Sequence, residues 1–205
     1  MPPKQKPFLG VRAIRLLRRF PHLFDAQIRA IIQVGQSYPI QLMFPMIATM
    51  EDWRTCQDLV HRILAEGSRS WKPIPLGCMV EIPSAVWIAD ELAQHVNFFS
   101  IGTNDLIQYL FAADRLSPDL TDYYRPLDPT VLHSIQRVAD AGHRHHISVS
   151  VCGEMASDVP SVAPLLGLGI DTLSVAPQRI PAIKQQVTSL SLSQCRETVQ
   201  QLLSS

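Results

Sequence analysis

The chain has 205 residues, 46% of them apolar and 18% charged, and its Lys plus Arg count equals its Asp plus Glu count at 18 each. That balance excludes a disordered chain, and the length suits one domain with an ample core. Zero net charge gives no electrostatic case for nucleic acid or a membrane surface, and no apolar run is long enough to cross a bilayer. The opening Met-Pro-Pro-Lys-Gln-Lys-Pro lacks the apolar core of a secretory signal. Cys56, Cys78, Cys152 and Cys195 show neither metal nor disulfide spacing, so a reduced, cytoplasmic setting is expected.

Residues 1–8 read as a basic, proline-rich lead with no packing face. A helix is expected from Leu9 to Phe20, with Leu9, Ile14, Leu16 and Leu17 apolar, Arg12, Arg15, Arg18 and Arg19 basic, and Arg18 and Arg19 on a solvated face. Pro21 closes it, and a second helix is expected from His22 to Gln36. Ile40 to Met46, interrupted by Pro45, reads as a buried strand. Thr49 is placed to cap a helix over Met50 to Glu66. Pro75 to Glu81 is the second strand, and Pro83 starts a helix through His95.

The third strand, Val96 to Ile101, is rich in aromatic and β-branched residues. Gly102 and Thr103 turn the chain, and Asn104 and Asp105 follow at the strand's end, before a helical pattern. A carboxylate and an amide side by side there can hold a divalent cation and a polar ligand. A helix cap by Thr103, Asn104 or Asp105 is the plainer use of the same residues. A long connection, Leu116 to Asp128, carries the pair Tyr123-Tyr124. Helices at Thr130 to Arg144, Val159 to Leu166, Pro181 to Val187 and Ser193 to Leu203 alternate with strands at Ile147 to Cys152 and Gly169 to Val175.

Five strands alternating with helices imply a parallel α/β sheet, either an open doubly wound sheet or part of a (β/α)8 barrel. Both put chemistry at the C-terminal strand ends. Strand two delivers Glu81, strand three Asn104 and Asp105, strand four Cys152 and then Glu154, and strand five Ser174. Strand one ends in Met43-Phe44-Pro45-Met46, a wall rather than a charge. Arg12 and Arg115 add guanidinium forks suited to phosphate or carboxylate. Each residue also has a plainer use: Glu81 in a surface ion pair, Cys152 as a small buried hydrophobe. Cys56, Cys78 and Cys195 are assigned that buried role, and His143, His145 and His146 a polar helix end rather than a metal cluster.

The segments P-F-L-G-V-R-A-I-R, M-F-P-M-I, M-V-E-I-P-S-A, F-F-S-I-G-T-N-D-L-I-Q-Y, A-A-D-R, Y-R-P-L-D-P-T-V-L and V-C-G-E-M-A-S-D occur in this order. Together they resemble the PEP-binding domain of the phosphoenolpyruvate-utilising enzymes. Within that family they are most similar to enzyme I of the bacterial sugar phosphotransferase system and to the enzyme I-like modules of multiphosphoryl transfer proteins. The resemblance implies a (β/α)8 barrel of which about five βα units are present in residues 1–205. It implies that Glu81 and Asp105 ligate Mg2+, that Asn104 contacts phosphoenolpyruvate, that Arg12 and Arg115 hold its phosphate, and that Cys152 is the acid–base group at the methylene carbon. A thiol near a metal and arginines can have a lowered pKa and exchange a proton at neutral pH. Family members also carry a swivelling phosphohistidine domain and a helical part that docks the carrier HPr, and they dimerise through this barrel; neither of those extra parts is matched here. Nor are the first three barrel strands, so the chain resembles the C-terminal piece of an enzyme I, as a fragment or as the product of a truncated gene.

Three functions follow as expectations. One is the phosphoenolpyruvate-binding part of a phosphotransferase, inactive alone. Another is a non-catalytic interaction or dimerisation module. The last, on fold alone, is a Mg2+-dependent barrel lyase or aldolase. The first and fifth strands are expected to be unpaired sheet edges beside an apolar, uncovered inner face.

Overall fold

The structure, a computed structural model, describes residues 7–67 and 71–204. The lead therefore lies outside the described residues, except for Pro7 and Phe8. Five parallel strands, β1 (Leu42–Phe44), β2 (Leu76–Val80), β3 (Phe98–Gly102), β4 (Ser148–Cys152) and β5 (Thr172–Leu173), pair in sequence order. All five expected strands are present. β1 and β5 are shorter than the apolar runs suggest, although the Asp171 and Ser174 amides extend the ladder by donating to Val149 and Val151 carbonyls at 3.0 and 2.9 Å. β1 and β5 are the two edges of the sheet, as expected.

The helices are α1 (Ile14–Arg19), α2 (Pro21–Gly35), α3 (Met50–Glu66), α4 (Pro83–Trp87), α5 (Ala89–Ala93), α6 (Thr103–Leu110), α7 (Pro129–Arg144), α8 (Val159–Gly167), α9 (Ile180–Thr188) and α10 (Leu192–Leu203). Thr49 caps α3 through a reciprocal pair: its Oγ1 accepts from the Asp52 amide, and the Asp52 carboxylate accepts from the Thr49 amide, both at 3.1 Å. The helix expected from Pro83 to His95 is broken at Ile88. Arg137 on α7 donates to the carbonyls of Val86 and Trp87 at 3.2 and 3.3 Å, and a side chain drawing on those carbonyls disturbs the ladder there. The first helix is also shorter than expected. Pro7–Leu9 forms a separate 3-10 turn, and Ala13 takes a φ of 48° before α1 begins.

The two faces of the sheet differ in chemistry. Phe44, Cys78, Phe99 and Val149 form one transverse row, and Val80, Ile101, Val151 and Leu173 the next. These side chains belong to the core with Trp53, Ile32, Leu132 and Ile135 from the helices. The opposite face carries the rows Met43, Gly77, Phe98, Ser148 and Met79, Ser100, Ser150, Thr172. It is rich in hydroxyls, with Ser148, Thr172 and Ser174 exposed. The expectation of a large apolar inner face is thus corrected: strand alternation places serine, threonine and glycine there, and only Met43, Met79 and Phe98 add half-buried apolar surface. Among the described residues no helix is long and apolar enough to cross a membrane.

Candidate active site

Glu81, Gly102 and Cys152 stand side by side at the C-terminal end of the sheet. Gly102 pairs with Cys152, and Glu81 follows Val80, whose partner is Ile101. Gly102 is needed for space: a Cβ there would lie 2.8 Å from the Glu81 Cβ and 3.1 Å from the Met79 sulfur. Glu81 is 3% exposed, and its Oε1 accepts the Met46 amide at 2.7 Å. Met46 offers that amide from a left-handed backbone, φ 61°, rare for a side chain of this size. Burial pushes the Glu81 carboxyl up to about 7, and the neighbouring Asp105 charge adds to the rise; the Met46 hydrogen bond and the Arg12 charge oppose it.

Asp105, 5% exposed, lies in the first turn of α6. Neither Thr103, Asn104 nor Asp105 caps that helix with a side chain, so the plainer reading of the tripeptide is not met. Thr103 Oγ1 instead donates to the Cys152 carbonyl at 2.9 Å, joining α6 to the end of β4. Asp105 Oδ2 accepts from Arg12 Nη2 at 3.2 Å, and Oδ1 lies 3.5 Å from Arg115 Nη1. Oδ1 is buried with no hydrogen-bond donor. Both arginines are about one-third exposed at the side chain and reach the rim from positions some hundred residues apart in the sequence.

Asn104 Oδ1 accepts from the Glu154 amide at 2.9 Å and from the Tyr124 hydroxyl at 3.4 Å. Gly153 permits this approach twice over. Its φ is 92°, and a Cβ would meet Thr103 Oγ1 at 2.6 Å and Asn104 Oδ1 at 2.8 Å. Cys152 is half-buried; Ser100 Oγ donates to its sulfur at 3.4 Å. Burial raises the thiol pKa, Ser100 offsets part of that, and Glu81 adds to it. The protein's own groups thus leave the Cys152 thiol above its ordinary value, and any lowering has to come from a bound cation. An open cavity of about 870 Å3 runs from Asn104 and Cys152 past Glu154 and Ser174 to Arg179.

The six sequence-derived residues, Arg12, Glu81, Asn104, Asp105, Arg115 and Cys152, therefore fall at one end of the sheet. The other cysteines are buried, as expected. His143 pairs with Asp171 and His145 with Asp90, each at 3.3 Å, consistent with a polar helix end. Arg18 is less free than expected, because it pairs with Glu51 and Asp52 at 3.1 Å. Sequence reasoning missed the Met46 amide and Phe8. The Phe8 ring lies 5.9 Å from the Arg12 guanidinium carbon and 5.0 Å from that of Arg115, so the lead is not without a packing role.

The residues fit Mg2+. Among the described residues no group of three or more His, Cys, Asp or Glu side chains converges on a metal position. Two neighbouring carboxylates with one buried oxygen lacking a donor do suit a hard cation that takes its remaining ligands from water and substrate oxygens.

These features define a class first: a parallel α/β protein of barrel type, with carboxylates, arginines and a thiol gathered at the C-terminal strand ends. The chain belongs to the PEP-utilising enzymes, for the family model described as "PEP-utilising enzyme, PEP-binding domain" matches residues 1–192. It is 40% identical over 201 residues to the phosphoenolpyruvate-protein phosphotransferase of Staphylococcus epidermidis, covering 96% of this chain and 35% of that protein. It is 38% identical over 205 residues to multiphosphoryl transfer protein 1 of Escherichia coli K12, covering 98% of this chain and 25% of that protein. The chain thus spans between a quarter and about a third of the length of these relatives. A citrate lyase crystal structure from Burkholderia xenovorans is similar at a TM-score of 0.61 and 20% identity, covering 79% of this chain and 53% of that one. That likeness concerns the fold alone.

Proposed function

We propose that this chain is the phosphoenolpyruvate-binding part of a phosphoenolpyruvate–protein phosphotransferase of the enzyme I type. In this reading phosphoryl passes from phosphoenolpyruvate to a histidine elsewhere in the protein and on to an HPr-type carrier for sugar uptake. The observation that carries it is the sharing of one buried carboxylate, Asp105, by Arg12 and Arg115 beside Glu81 and Cys152. Arg12 and Arg115 bind the phosphate, whose negative charge their guanidinium forks match. Asn104, held by the Glu154 amide, presents its amide nitrogen to the substrate. Glu81 and Asp105 hold Mg2+, which supplies charge neutralisation at the phosphate oxygens. The Cys152 thiol gives its proton to the methylene carbon as the P–O bond breaks, leaving pyruvate and a thiolate that is reprotonated from solvent. The same reading puts the protein in the cytoplasm, in keeping with its four free cysteines, and has it act as a homodimer.

The test is calorimetric titration of the natural protein with phosphoenolpyruvate, with and without Mg2+. The expected result is Mg2+-dependent binding that Arg115→Ala and Asp105→Ala abolish. Binding indifferent to Mg2+ and to both substitutions would overturn the proposal.

A further inference from the structure

Phe8 touches both phosphate-site arginines at once. Its ring centroid is 5.9 Å from the Arg12 guanidinium carbon and 5.0 Å from that of Arg115, within cation–π range for each. The two cations approach the same carboxylate, Asp105, at 3.2 and 3.5 Å, and like charges brought so close repel. An aromatic ring adjoining both offsets part of that repulsion, and it restricts long side chains that would otherwise sample many rotamers.

The turn that carries Phe8 is itself tied down. The Tyr109 hydroxyl on α6 donates to the Phe8 carbonyl. Arg15 Nη1 on α1 donates to the Leu9 and Gly10 carbonyls at 3.2 and 3.3 Å. Tyr109 lies four residues after Asp105, one helical turn along α6, so a single helix positions the carboxylate and the anchor of the ring. The segment P-F-L-G-V-R-A-I-R thereby reads as one device. Phe8 sets the arginines, Arg12 reaches the site, and Arg15 clamps the turn.

We infer that Phe8 is a positioning residue: its ring orders Arg12 and Arg115 as a pair for the phosphate of the substrate. The inference rests on the function proposed above. The ring touches no reacting atom, so its removal acts on binding and leaves the chemical step nearly intact.

The experiment compares Phe8→Leu, Phe8→Tyr and Tyr109→Phe in the natural protein, with Arg12→Ala and Arg115→Ala as controls. Phosphoenolpyruvate with Mg2+ is the probe. Readouts are binding by calorimetry, KM and kcat, and thermal unfolding. Phe8→Leu keeps apolar bulk and loses the π face. It is expected to weaken binding and raise KM by about tenfold, with kcat within about twofold. Phe8→Tyr restores both, and Tyr109→Phe, which only frees the Phe8 carbonyl, raises KM by less than Phe8→Leu. Wild-type KM in Phe8→Leu, or equal impairment in Phe8→Leu and Phe8→Tyr, overturns the inference while impaired arginine variants keep the proposed function standing. Arginine variants that bind normally overturn that function and this inference with it.

Discussion

The backbone amide of Met46 donates to Glu81 Oε1 at 2.7 Å, and this is the hydrogen bond that partly compensates a carboxylate only 3% exposed. It does not compensate fully, since the carboxyl is raised from the ordinary glutamate value of 4.5 to about 7. The native state therefore holds a proton over that window while the unfolded state has lost it. Stability falls as pH rises from about 4.5 to about 7, because the unfolded state binds fewer protons. Glu81→Gln removes this titration and still accepts from Met46. Its stability relative to the parent is expected to rise across that window by roughly 2–3 kcal/mol. Urea unfolding at pH 4.5, 6 and 8 measures it. A difference that stays constant with pH would show that Glu81 titrates normally.

The same titration governs the cation. A proton on Glu81 competes with a metal ion, so Mg2+ binding should strengthen as pH rises through about 7. Millimolar Mg2+ is expected to raise the melting temperature at pH 8 and to do little at pH 5.5. Asp105→Asn should remove the Mg2+ response at both pH values. Its partners Arg12 and Arg115 are part-exposed and can turn to water, so the variant is expected to stay folded. A Mg2+ response that survives Asp105→Asn would place the cation elsewhere.

Cys152 and Cys56 separate chemistry from packing. Cys152 is half-buried at the rim with Ser100 on its sulfur, whereas Cys56 is fully buried on the inward face of α3. Cys152→Ala is expected to bind phosphoenolpyruvate normally but to exchange the methyl protons of pyruvate with deuterated solvent at least about a hundredfold more slowly, the scale of a lost general acid. Cys56→Ala should leave exchange unchanged and cost about 1 kcal/mol through the vacated volume. Equal exchange rates in the two variants would reduce Cys152 to a filler of space.

The sequence exposed the rim residues because parallel strands end where their apolar pattern stops: Glu81, Asn104 and Asp105 follow such a stop, and Cys152 closes the alternating run of β4. What it concealed depends on distant partners. Nothing local marks Met46 for φ 61°; its amide is turned toward a glutamate 35 residues later. Phe8 looks like part of a polar lead until two arginines, one of them on the far side of α6, close on its ring. The break at Ile88 is likewise invisible, since the side chain that takes the Val86 and Trp87 carbonyls is Arg137. Conversely, the alternating I-S-V-S-V-C of β4 fully announced a strand, but the serines were legible as an uncovered hydroxyl face only once the register with Ser100 and Thr172 was known.

That uncovered face bears on association. β1 and β5 are the sheet edges, each is short, and among the described residues neither has a second strand partner. Met43 on β1 and Thr172 on β5 lie on the open face next to those edges. Residues 1–205 purified alone are expected to self-associate through strand pairing rather than through an apolar patch, since Met43, Met79 and Phe98 on the open face are interspersed with Ser, Thr and Gly. Association should therefore be weakened by charge at the edges, as in Met43→Lys with Thr172→Lys, and should be little affected by added salt. These residues alone are also expected to show no phosphotransferase activity. Sedimentation velocity over a hundredfold concentration range, together with an assay of phosphoryl transfer from phosphoenolpyruvate, checks both. A monodisperse monomer with a sharp melting transition, binding phosphoenolpyruvate as tightly as the natural protein, would show that the five-stranded sheet closes its own edges and needs no neighbour.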